Sequence, residues 1–90
     1  MKAQGRIEIV NELGLHLRAA GEMVRTAERF KSRILVRCSG LESNAKSVLS
    51  VMSLAAGKGT TLDFSAEGPD SEAAVKALLE LVKNKFGEAK

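Results

Sequence analysis

Ninety residues, 44% of them hydrophobic, can bury one core but cannot enclose a large substrate cavity, so a single domain over 1–90 is expected and a capacious enzyme is not. The net charge of +3 comes from mixed signs spread along the chain, with no dense basic block and no Trp or Tyr to stack bases, which favours acidic protein partners over nucleic acid. No apolar run approaches a membrane span, Met1-Lys2-Ala3-Gln4-Gly5-Arg6 has no signal-peptide character, and the one cysteine, Cys38, cannot pair internally; a reducing, cytoplasmic setting fits.

The hydrophobic period switches several times along the chain. Ile7 and Ile9 alternate with Arg6, Glu8 and Val10, a first strand. After a loop holding His16, the residues Ala20, Met23, Val24, Ala27 and Phe30 recur at helical spacing, with Arg18, Glu22, Arg25, Thr26 and Arg29 mostly opposite. Arg33 to Cys38 alternates again, which makes Cys38 a small buried hydrophobe on a strand; Ser39-Gly40 turns the chain and Leu41 to Asn44 is a short strand. Ser47 to Leu54 returns to helical spacing, closed by Gly57-Lys58-Gly59. Thr60 to Ala66 alternates Leu62, Phe64 and Ala66 with Thr61, Asp63 and Ser65. Asp70 is placed to cap a last helix through Val75, Leu78, Leu79, Val82 and Phe86. The order βαββαβα, with strands dry on one side only, predicts an α+β open-faced sandwich: a four-stranded antiparallel sheet with three helices on one face.

Within this frame His16, the only histidine, stands where an extended segment gives way to a helix. A helix N-terminus offers unpaired N–H groups and the positive end of the macrodipole, a ready site for a phosphoryl group, and Arg18 adds a planar cation suited to phosphate oxygens. Imidazole is neutral near pH 7, nucleophilic, and releases a phosphoryl group readily. No second histidine, carboxylate cluster or metal-ligand spacing accompanies it in the sequence, so neither a metal site nor a cofactor site is expected, and a Ser-His-Asp triad lacks parts. The bland alternative makes His16 a cap and Arg18 a solvated side chain. Ser47, ahead of an apolar run, reads first as an N-cap. Helix residues Val48, Leu49, Val51, Met52 and Leu54 are too many for one narrow stripe, so Leu49 and Met52 are expected outside, near Arg18 and Arg25. Gly57-Lys58-Gly59-Thr60 is not a Walker A loop, because Gly59 follows the lysine.

Leu13-Gly14-Leu15-His16-Leu17-Arg18-Ala19-Ala20 resembles the active-site signature of HPr, the histidine-containing phosphocarrier family of the phosphoenolpyruvate-dependent sugar phosphotransferase system. Asn44-Ala45-Lys46-Ser47-Val48-Leu49-Ser50-Val51-Met52-Ser53-Leu54 resembles that family's regulatory-serine segment, and Ala56-Gly57-Lys58-Gly59 with Ala66-Glu67-Gly68 its later turns. The resemblance implies a monomeric carrier rather than a turnover enzyme. Enzyme I would phosphorylate His16 on Nδ1, Arg18 would neutralise the phosphoryl group, and a IIA protein or domain would take it. It further implies that Ser47 is the site of HPr kinase/phosphorylase in organisms that have that enzyme, and that Val48, Leu49 and Met52, beside Arg25, form the docking surface. The family usually reads Ala-Arg-Pro-Ala where this chain has Leu17-Arg18-Ala19-Ala20; losing the proline gives up first-turn rigidity and restores a backbone N–H. A carrier in a nitrogen-related or regulatory phosphotransfer chain would use the same His16 chemistry. A small nucleic-acid-binding domain is the distant alternative, suggested by the pI and basic helix.

Overall fold

The computed structural model describes residues 1–90. Its elements are β1 (Lys2–Glu8), α1 (Leu17–Ala27), β2 (Arg33–Cys38), β3 (Leu41–Asn44), α2 (Val48–Met52), β4 (Thr61–Glu67) and α3 (Ser71–Lys83), followed by a short 3-10 turn, Lys85–Gly87. The strands form one antiparallel sheet in the order β1-β4-β2-β3, covered on one face by the three helices. This is the expected open-faced sandwich.

Period-two alternation decides which face is covered. Ile34, Val36 and Cys38 of β2 and Leu62, Phe64 and Ala66 of β4 are buried, while Arg33, Arg37 and Glu67 are exposed. β4 lies between β1 and β2, pairing Leu62 with Ile7 on one side and Phe64 with Val36 on the other. The open face carries Arg6–Asp63 at 2.7 Å and Arg37–Glu42 at 2.9 Å, surface pairs that keep it wet more than they stabilise it. Against the dry face, α1 buries Ala19, Ala20, Met23, Val24 and Ala27, and α3 buries Ala74, Val75, Leu78 and Val82. α3 lies so close to β1 that a Cβ at Gly5 would stand 2.8 Å from side-chain atoms of Leu79 and Val75.

Several local readings shift. β1 starts at Lys2, because pairing with Ser65–Glu67 extends it backward, and ends at Glu8. Ile9 lies just beyond it, still tied by its N–H to the Thr60 carbonyl at 2.8 Å. Thr26, placed on the polar side of α1, is buried. α2 ends at Met52 rather than at the glycines, and Ala55, with φ of 50°, turns the chain away. Asp70 holds the N-cap position of α3 without a side-chain cap. Its carboxylate accepts instead from the Lys31 and Ser32 N–H groups, each at 2.9 Å, and from the Ser32 hydroxyl at 2.6 Å. Phe86 continues the spacing of α3 but not its backbone, since Lys85 and Phe86 turn left-handed with φ of 59° and 57°.

Candidate functional site

His16 is the N-cap residue of α1, with extended backbone and no side-chain cap hydrogen bond. Its carbonyl accepts the Ala20 N–H at 2.8 Å, while the N–H groups of Leu17, Arg18 and Ala19 find no partner within the chain. The imidazole therefore stands at a helix end whose donors remain free. Local turns hold it there. Gly14 takes φ of +64°, and a Cβ on it would meet the Ala56 carbonyl oxygen and Gly57 Cα at 2.7 Å, so the loop before α1 sits directly on the loop after α2. The Leu15 N–H bonds the Ala56 carbonyl at 2.8 Å and fixes that contact.

Two residues that sequence reasoning missed complete the surroundings of His16. Asn11 is fully buried, and its Nδ2 donates to the Gly14 carbonyl and to Glu88 Oε1, both at 2.9 Å. Glu88 Oε2 in turn meets His16 Nε2. The Glu88 side chain is only 12% exposed, against 28% for His16. Burial pushes the Glu88 carboxyl up, but the hydrogen bonds from His16 and Asn11, with the charges of His16 and Arg18, outweigh it and hold the carboxyl below its ordinary value. Arg18 is exposed and lines a small cavity with Glu12, Leu13, His16, Glu88 and Lys90. Two larger depressions lie on the polar open face of the sheet, away from His16. No group of three or more His, Cys, Asp or Glu side chains is arranged to hold a metal ion.

The second motif forms α2 and the turn that leads into it. Ser47 is the N-cap of α2, its hydroxyl accepting the Ser50 N–H at 3.3 Å. Leu49 is 85% exposed and Met52 is exposed at its edge, whereas Val51 and Leu54 are buried and Val48 packs partly against the core. Arg25 is exposed on α1 and pairs with Glu22 at 2.5 Å. Leu13 and Leu17, flanking His16, are also exposed, which makes the surroundings of the imidazole more apolar than the sequence suggested. Leu17 could have been found, since it starts the outward row of α1 that Gly21 and Arg25 continue. Asn11 and Glu88 could not, because nothing local links positions 77 residues apart.

Residues 3–84 match the family model described as the PTS HPr component phosphorylation site. The phosphocarrier protein HPr of Cupriavidus necator is 44% identical over 80 residues, covering 89% of this chain and 90% of the relative. That of Pseudomonas aeruginosa is 45% identical over 83 residues, covering 91% and 92%. Among solved structures, an HPr from Thermoanaerobacter tengcongensis superposes with a TM-score of 0.93 at 44% identity, covering 98% of this chain and 99% of the other. HPr from Bacillus anthracis superposes with 0.86 at 37% identity, covering 90% and 96%. A family match over nearly the whole chain, relatives above 40% identity and the shared sheet topology together establish that this chain belongs to the HPr family of phosphocarrier proteins of the phosphotransferase system.

Proposed function

We propose that the chain carries a phosphoryl group on His16, accepting it from enzyme I charged by phosphoenolpyruvate and passing it to IIA proteins or domains. The observation that carries this reading is the imidazole at the N-cap of α1, which caps nothing and faces three unpartnered N–H groups beside Arg18. Those donors and the guanidinium supply positive potential where phosphate oxygens would gather, without a metal or cofactor. The reading makes the protein a cytoplasmic monomer that changes partners rather than a turnover enzyme. Leu49, Met52 and the exposed edge of Val48, with Arg25, form the surface on which successive acidic partners dock. Ser47 borders that surface, so a phosphate added there by HPr kinase would set two negative charges against an apolar interface and weaken docking.

The test is phosphotransfer from labelled phosphoenolpyruvate in the presence of enzyme I. The parent acquires acid-labile, alkali-stable label and then loses it to a IIA protein; His16→Ala acquires none. Arg18→Ala retains the parent's thermal midpoint, because Arg18 is exposed, while transfer slows about tenfold, the scale of one charge-assisted contact. Acid-labile label on His16→Ala overturns the assignment. A donor other than enzyme I of the sugar system would move the chain to a nitrogen-related pathway with the same chemistry.

A further inference from the structure

The chain leaves α3 through three successive left-handed residues, Lys85, Phe86 and Gly87, with φ of 59°, 57° and 83°. Residues with side chains enter that region in succession only where their surroundings over-determine it. Here three contacts do so: Phe86 is buried in the core, the Lys90 carbonyl accepts the Glu12 N–H, and Glu88 reaches His16 and Asn11. The result aims one carboxylate at an imidazole 72 residues away. Glu88 lies beyond residues 3–84, the part of the chain that the family model matches.

Each group in this relay has one role open to it. The Gly14 carbonyl can only accept, so Asn11 must present its NH2 group, and the same group donates to Glu88 Oε1. A carboxylate likewise only accepts, so the ring nitrogen meeting Oε2 must carry its proton. A neutral imidazole protonated on Nε2 has its lone pair on Nδ1. We propose that Glu88, held by Asn11, is a positioning residue for His16: it keeps the proton on Nε2 and presents the Nδ1 lone pair to the incoming phosphoryl group. The proposal rests on His16 being the phosphoryl acceptor.

In the transfer step the Nδ1 lone pair forms the bond to phosphorus, the donor's bond to phosphorus breaks, and that electron pair leaves with the donor. The ring, still protonated on Nε2, then carries a positive charge that faces the Glu88 carboxylate. Arg18, Glu12 and Lys90 are the other charged residues lining this cavity. Arg18 is left free for the phosphoryl oxygens because Glu88 is engaged by Asn11 and His16.

Nitrogen-15 spectra of His16 in the full chain, recorded where the ring is neutral, read the tautomer directly. The parent is expected to show a protonated Nε2 and a bare Nδ1. Glu88→Ala should show a mixture of tautomers and accept phosphate from enzyme I about tenfold more slowly, the scale of one hydrogen bond to a charged group. Glu88→Gln keeps one acceptor oxygen where the carboxylate offers two, so its NH2 group must oppose either Asn11 or Nε2, and it should restore the Nε2–H tautomer and the rate only in part, between Glu88→Ala and the parent. A parent ring protonated on Nδ1 overturns the proposal before any variant is made. So does a Glu88→Ala protein with unchanged spectrum and rate. A parent that shows the Nε2–H spectrum yet takes label on a residue other than His16 refutes the carrier reading itself, and the purpose assigned to Glu88 with it.

Discussion

A single missing side chain at Gly14 sets the position of the imidazole. Its φ of +64° and the 2.7 Å approach of the Ala56 carbonyl oxygen combine two penalties for any substitution, a left-handed backbone and a collision with main chain that has no flexible end to move. Gly14→Ala is therefore expected to lose about 2–4 kcal/mol in urea unfolding, and its surviving folded fraction should accept phosphate more slowly because the loop carrying His16 has shifted. A variant with the parent's midpoint and transfer rate would show that the two loops part without consequence. This residue scale is also where sequence reasoning succeeded and failed most sharply. The placement of His16 and Arg18 at the start of α1 was legible because the switch of hydrophobic period is local. Glu88 was not, because its partner lies across the whole chain and no periodicity marks it. Asp70 was placed at the right position with the wrong task, since cap geometry depends on a side-chain torsion that the residue type does not dictate.

At the scale of elements, the first turn of α1 is the one place inside the active-site motif where the chain leaves its family's pattern. Ala19 is buried, yet its N–H has no partner within the chain, so a proline there would remove no hydrogen bond. Ala19→Pro is expected to fold with a stability gain of about 0.4–1 kcal/mol through a stiffer unfolded chain, and to transfer phosphate at least as fast as the parent. Slower transfer, or faster hydrolysis of the phosphorylated form, would show that the free N–H serves the phosphoryl group. Failure to fold would show that the ring does not fit the core. Periodicity revealed the elements themselves well wherever one face is dry, as in β2, β4 and α1. It misled at Phe86, whose spacing from Val82 suits a helix. Burial alone keeps that ring inside, on a backbone that has already left α3.

At the scale of the whole molecule, contacts far apart in sequence hold the layers together. Asp70 ties the start of α3 to the loop between α1 and β2, where a Cβ on Gly68 would stand 2.7 Å from Ser32 Cα. The Ser32 hydroxyl, with the Lys31 and Ser32 N–H groups, lowers the Asp70 carboxyl from 3.8 to about 2. A carboxyl depressed in the folded state contributes stability above its unfolded value and loses it as pH falls through the folded one. The thermal midpoint of the parent should therefore exceed that of Asp70→Asn most above pH 3.8, and the gap should close as pH falls toward about 2. A constant gap over that range would show that the carboxylate's charge plays no part. The sheet order has a further consequence, in time rather than space. β1 pairs only with β4, and the carboxylate beside His16 belongs to Glu88, so a chain emerging from the ribosome with His16 already outside has no partner for its first strand until residues 61–67 have been made, and no carboxylate beside the imidazole until residue 88. Synthesis thus delivers the proposed phosphoryl acceptor first and its setting last, and on that proposal a nascent chain meeting a phosphoryl donor would offer only an imidazole without its surroundings.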